Sequence, residues 1–264
     1  MLGIPWDRNS SFLPGAAQGP AAIRKAIDAG SMNFCTEAGI DLAVDDRLRD
    51  MGDLAEPNAD ALYDLIPTRV TELMAQGARV MALGGDHSIT YPILRAVAKR
   101  YETLNILHLD AHPDLYDRYD GNPFSHASPF ARIMEDRLAR RLVQVGIRTL
   151  NPHQQSQADR FGVEIIPMRD WRPDQPITFN GPLYLSLDLD VLDPAHAPGV
   201  SHQEPGGMTT RDVLTLIQNL QVSLVGADIV ELNPSRDPSG ITTMAAAKLF
   251  KEIVSTMLAN PCVG

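Results

Sequence analysis

Short runs rich in Val, Ile and Leu alternate along this chain with longer stretches whose apolar residues return every three or four positions. The apolar runs cover residues 79–83, 105–109, 141–145, 163–167, 182–188 and 224–230, several of them continuous enough for strands buried on both faces. Helical patterns cover 59–76, 90–100, 129–140, 152–161, 210–220 and 242–258. This alternation predicts a central, mainly parallel sheet with helices on its faces, a three-layer α/β/α sandwich. No repeat, low-complexity tract or linker divides the pattern, so residues 1–264 are read as one domain, in keeping with α/β units of roughly 200–250 residues.

In open parallel sheets, ligands bind beyond the carboxyl ends of the strands. The polar residues that interrupt the apolar runs fall there: Gly84-Gly85-Asp86-His87-Ser88, Asp110 to Asp114, Asp188 to Asp193, and Glu231-Leu232-Asn233-Pro234. Side chains two apart on a strand point the same way, which groups Asp110 with His112 and Asp114, and Asp188 with Asp190. Carboxylates gathered in this way repel one another unless a cation lies among them. The pattern reads as a metal site.

Taken singly, each piece has a plainer reading. Asp86 or Ser88 is a suitable helix cap after a glycine turn, DAHPD an Asx turn, Asp193 a turn residue before Pro194, and Glu231 a solvated strand end. Jointly these readings fail, because Asp188 and Asp190 end a hydrophobic strand where unpaired charge is costly.

Composition narrows the field further. The chain is 44% hydrophobic, enough for a sizeable core. It shows neither a basic-then-apolar leader nor an apolar run of the about 20 residues that span a bilayer, so a soluble, cytoplasmic protein is expected. Cys35 and Cys262 lie far apart without ligand spacing, and both are expected to be free thiols. The net charge of −10, with no basic cluster interleaved with aromatics, argues against nucleic acid and anionic membranes. A cationic small molecule fits better, although part of the negative charge belongs to the metal site.

The combination resembles the ureohydrolase family of arginases and agmatinases, which release urea from a guanidino group. The likeness runs through PGAAQGPAAIR from Pro14, GGDHS from Gly84, HLDAHPD from His108, SHASPFARI from Ser125, SLDLDVLDP from Ser186 and ADIVELNP from Ala227. NSSFLPG from Asn9, SHASPFARIME from Ser125 and PGVSHQEPGG from Pro198 are most similar to the plant-type branch. The resemblance implies the arginase-like fold and two Mn(II) ions, with Ni or Co able to use the same ligands. One ion would take His87, Asp110, Asp114 and Asp188, the other Asp110, His112, Asp188 and Asp190, so that Asp110 and Asp188 bridge.

Chemistry asks for such a pair. A guanidinium carbon is a poor electrophile, and a metal lowers the pKa of bound water from 15.7 towards about 7, with paired ions roughly 3.5–4 Å apart. By the resemblance, Asp114 also accepts a hydrogen bond from the nucleophile, Glu231 pairs with the guanidinium and orients it, and His126 shuttles the proton to the leaving amine. His108 and His202 match no family ligand and are assigned to packing or loop hydrogen bonds.

Substrate choice turns on the loop after DAHPD. Asp120 and Asn151 stand where animal-type arginases place groups for the amino-acid end of arginine, and Pro123 stands where plant arginases have a lysine. Asn122 is expected to line the pocket, and Asp120 to repel a carboxylate and attract the ammonium of agmatine. The balance favours agmatine or another carboxylate-free guanidine. The alternatives are arginase activity on L-arginine, or action on guanidinobutyrate or guanidine.

Outside the family, a dinuclear phosphoesterase is disfavoured by the missing Gly-Asn-His-Asp turn and basic groups, and a one-zinc deacetylase by the two extra ligands. A non-enzymatic scaffold is disfavoured because every ligand position is filled. The resemblance also implies a homo-oligomer, trimeric or hexameric, with the amphipathic C-terminal helix packing within or between subunits.

Overall fold

A computed structural model describes residues 1–55 and 61–259. It holds a single seven-stranded parallel sheet in the order β1-β2-β7-β6-β3-β4-β5. The strands are β1 (Leu2–Gly3), β2 (Val80–Leu83), β3 (Asn105–Leu109), β4 (Arg141–Ile147), β5 (Glu164–Pro167), β6 (Leu183–Asp188) and β7 (Leu224–Val230). Interleaved with them are α1 (Gly19–Asp28), α2 (Leu62–Ala75), α3 (Thr90–Val97), α4 (Pro129–Glu135), α5 (Pro152–Phe161), α6 (Thr210–Gln218) and α7 (Ile241–Ala259).

Alternate residues of the central strands feed two cores. Met81, Leu107, Leu109, Leu185, Leu187 and Ile229 pack with Ile23 of α1, Ile217 of α6 and Phe250 of α7. Val80, Ala82, Ile106, Tyr184 and Val230 pack with Ile66 of α2, Ile93 of α3 and Phe130 of α4. This is the three-layer arrangement, and it explains why β2, β3, β6 and β7 read as continuous apolar runs: both faces are dry.

The structure departs from the pattern at a few places. β1 is two residues long, too short to leave a periodic signal, and it pairs with β2 through Leu2–Ala82 and Gly3–Leu83. α1 begins Gly-Pro and was hidden by its small apolar face of Ile23 and Ala26. α4 stops at Glu135 because Arg137 takes φ +55°, turning the chain into β4. α3 gives way to turns after Val97. The helical pattern from residue 59 begins partly outside the described residues, as does Cys262, whereas Cys35 is a free thiol.

Candidate metal centre and its cavity

Four neighbouring strands, β2, β7, β6 and β3, deliver the acidic motifs to one place at their carboxyl ends. After β2, a Cβ on Gly85 would lie 1.7 Å from the Trp6 carbonyl oxygen, so only glycine lets the N-terminal segment cross here. Asp86 then caps the turn His87–Ile89 by accepting from the Ser88 amide at 3.0 Å, as its plainer reading suggested. After β6, Asp188 accepts from the Asp190 amide at 2.8 Å, and Asp190 in turn accepts from the Ala111 amide at 3.0 Å. After β7, the Glu231 amide bonds Gly85 oxygen at 2.9 Å. Asp114 and Glu231 adopt φ +50° and +65°, a left-handed conformation costing about 1–3 kcal/mol that persists where surrounding contacts over-determine it.

The side chains converge. His87 Nδ1 lies 3.1 Å from Asp110 Oδ2, Asp114 Oδ2 and Asp188 Oδ2. His112 Nδ1 lies 2.9 Å from Asp190 Oδ2 and 3.4 Å from Asp110 Oδ1. Asp110 therefore turns one oxygen to each group, the placement expected of a bridging carboxylate. Asp188 offers Oδ2 to His87 while its Oδ1 holds the Asp190 amide.

Hydrogen-bond direction tests whether a cation fits. Ser186 Oγ donates to Asp228 Oδ1 at 2.7 Å, so at 3.0 Å it accepts from His87 Nε2–H. In the neutral ring Nδ1 then carries the lone pair; it is fully buried and has no hydrogen-bond partner among the described residues. A lone pair facing three carboxylate oxygens is a donor set without a positive centre. Neighbouring ligands of an octahedral ion with bonds of roughly 2.2 Å lie about 3.1 Å apart, the spacing found here.

Crowding is equally visible in the proton affinities. Burial raises the Asp188 carboxyl well above its ordinary range, reinforced by the charges of Asp190 and Asp110. Burial and Asp110 push Asp190 up to about 6. Burial disfavours a proton on His112, yet Asp190 and Asp110 push its pKa up to about 12. Protons and divalent cations compete for these lone pairs.

Behind the ligands lies a layer that sequence reasoning missed. Asp228 is fully buried and accepts from Tyr184 Oη at 2.7 Å, Thr90 Oγ1 at 2.9 Å and Ser186 Oγ, holding His87 through the serine. The available signal was a polar residue at alternate positions of apolar strands, Ser186 in β6 and Asp228 in β7. His108 falls within the first cluster, but Gln144 Nε2 donates to its Nδ1 at 3.0 Å, so its Nε2–H is committed to Asp110 Oδ2 at 2.7 Å. It is a hydrogen-bonding histidine stacked on Phe130.

A cavity of about 210 Å³ opens over the centre. His112, Asp114, Asp188 and Asp190 contribute to its lining, together with His126, Glu231, Ser11, Tyr116, Tyr119, Thr149 and His202. Glu231 Oε1 accepts from the His87 amide at 2.9 Å and from His126 Nδ1 at 2.8 Å. His202, read as a loop residue, is a wall residue, its ring centroid 5.2 Å from that of His126.

Two residues expected to meet the substrate lie in a neighbouring turn. Asp120 is exposed at φ +49° in a turn closed by reciprocal Tyr119–Asn122 backbone bonds, and neither it nor Asn122 lines the cavity. Asn122 spends its amide on Asn9 Oδ1 at 3.1 Å and its oxygen on the Phe124 amide at 2.9 Å. The expected roles of Asp120 and Asn122 toward the substrate thus find no support in the cavity lining, and both residues serve the turn. Asn151 caps α5 and donates to the Tyr116 hydroxyl at 2.5 Å.

Known proteins are similar to this chain in sequence and in shape. Arginase 1, mitochondrial, of Arabidopsis thaliana is 48% identical over 97% of this chain and 80% of that protein. The agmatinase of Bacillus anthracis is 34% identical over 96% of this chain and 90% of its own length. The solved arginase from Medicago truncatula superposes with a TM-score of 0.90 at 44% identity, covering 97% of this chain and 86% of that one. The model of the arginase family matches residues 1–255, and the chain is a member of that family of ureohydrolases.

Proposed function

We propose that this enzyme hydrolyses L-arginine to L-ornithine and urea at a pair of Mn(II) ions. The observation that carries the reaction is the convergence of His87 Nδ1 and three carboxylate oxygens at 3.1 Å, with the Glu231 carboxylate in the lining of the same cavity. His87, Asp110, Asp114 and Asp188 would hold one ion and Asp110, His112, Asp188 and Asp190 the other, an oxygen-rich set suited to Mn(II). When bound, such a pair supplies water ionised at neutral pH and neutralises charge in the transition state.

The chain's own groups do the rest. Glu231 Oε1 is occupied by His87 and His126, which leaves Oε2 to accept from the guanidinium and set its plane over the centre. Burial opposes a second proton on His126, but Glu231 pushes its pKa up to about 9, so the ring can take a proton at Nε2 and pass it to the amine as the C–Nε bond breaks. Tyr116, Tyr119, Thr149 and His202 line the way in and offer hydrogen bonds to the far end of the substrate.

Arginine is favoured over agmatine on two grounds. Identity to a plant arginase, at 48%, exceeds the 34% to a bacterial agmatinase. Asp120, whose charge argued for agmatine, is outside the cavity lining. Urea release from arginine, agmatine, 4-guanidinobutyrate and guanidine, each with Mn(II) and Ni(II), tests the reading. The highest kcat/KM is expected for arginine with Mn(II), and a higher value for agmatine would reverse the assignment. Self-association into trimers or hexamers is proposed with it, to be read by sedimentation.

A further inference from the structure

Two donors from one residue reach the outer nitrogen of His126. The Ser11 amide N–H lies 3.2 Å from Nε2 and the Ser11 hydroxyl 2.8 Å from it, across 115 positions of sequence. An amide can only donate, so Nε2 carries a lone pair and the ring proton is on Nδ1, which donates to Glu231 Oε1 at 2.8 Å. A hydroxyl donates or accepts. It is thus the partner that still fits when Nε2 gains a proton, a state the amide alone would oppose.

The segment carrying Ser11 is anchored for this purpose. Asn9 N–H and Ser10 Oγ donate to Asp86 Oδ2 at 2.9 and 3.4 Å, and Asn9 Nδ2 donates to Ser88 Oγ at 3.0 Å. The Asn9 carbonyl accepts from the His126 amide at 3.0 Å. Buried Asp86, at the end of β2, therefore pins one side of the loop while the backbone of His126 pins the other. Among the described residues, Ser11 alone bonds His126 Nε2.

We propose that Ser11 is a positioning residue for His126, its hydroxyl holding Nε2 at the cavity wall and supporting the ring in both of its protonation states. The chemistry rests on the function proposed above; the geometry does not. Four titratable groups face the ring: Glu231 from the end of β7, Asp86 from the end of β2, Asp114 from the end of β3, and His202 from the loop beyond β6. The three carboxylates favour the charged ring and His202 opposes it. Each stays in place when Ser11 is changed, so the effect of the hydroxyl can be read separately.

The test uses the full chain with Ser11→Ala and Ser11→Thr, at an exposed position where neither change buries a polar group. The His126 ring is titrated by NMR in protein loaded with diamagnetic Mg(II), its signals assigned by their loss in His126→Asn, and kcat and KM for urea release are measured with Mn(II). Ser11→Ala is expected to lower the ring's proton affinity about tenfold, equivalent to one pH unit. It should lower kcat about tenfold with KM within about twofold, as for a group that acts on proton transfer. Ser11→Thr, which keeps the hydroxyl, should restore both. An unmoved His126 titration in Ser11→Ala overturns the proposal whatever the rate. A parent chain that releases no urea while the titration still moves would defeat the proposed reaction and leave the positioning role standing.

Discussion

Asp190 shows how much one carboxylate can carry here. It accepts the Ala111 amide through Oδ1 and faces His112 through Oδ2, so it both shapes the turn after β3 and completes the second ligand group. Asp190→Ala removes the oxygen facing His112 but only one backbone bond, worth about 0.5–1.5 kcal/mol. Metal content after dialysis is expected to fall from two ions per chain to one, with urea release reduced by at least about a thousandfold and the circular dichroism spectrum unchanged. Retention of two ions with full activity would end the dinuclear reading. Residues of this kind were legible in the sequence because charge at the end of a dry strand has few physical explanations. Asp228 and Ser11 were not, since their work lies in bonds to residues 44 and 115 positions away. The direction of the Asp120 side chain was not legible for a related reason: a positive φ at the turn aims a side chain in a direction that residue type does not encode.

Among the elements, β3 and β7 ended where their apolar runs end, because both faces are buried and nothing competes with the period. Helix ends were less legible, as the early stop of α4 shows, since a left-handed residue terminates a helix without leaving a compositional mark. Loop attachment was not legible at all. Glu37 ties its loop to α6 and α7 by bidentate bonds from Arg211 at 2.9 Å, with Gln218 and Lys248 each at 3.0 Å, while its amide donates to buried Glu252. These partners, Arg211 foremost, hold the Glu37 carboxyl well below its ordinary 4.5. A depressed carboxylate contributes stability above its unfolded pKa and loses it as pH falls towards the folded value. The melting temperature of Glu37→Gln should therefore lie below that of the parent at pH 7, by a margin that holds to about pH 5 and shrinks below roughly 4.5. An equal margin at pH 7 and pH 3 would show that the carboxylate's charge has no part in the clamp.

Across the whole molecule, the proposed ligands come from residues 87, 110–114 and 188–190, beyond the ends of β2, β3 and β6. β6 adjoins β3, and β7 lies between β6 and β2, so a bound pair of ions ties together the middle of the sheet and both cores that flank it. Loss of metal is then expected to act on global unfolding, since no outlying unit holds the site by itself. A ligand at a hundred times its dissociation constant stabilises the native state by about 2.7 kcal/mol. In a protein of this size each kcal/mol moves the melting temperature by about 2–4 °C, so chelation should lower it by roughly 5–10 °C for one ion and more for two. The transition should stay cooperative, with circular dichroism and tryptophan fluorescence melting together, and Mn(II) added back should restore the original midpoint. Asp190→Ala, keeping one ion, should show about half the chelation shift. Chelation that removed both ions and left the midpoint in place would mean that the carboxylates satisfy one another without a cation, contrary to the orphaned Nδ1 of His87.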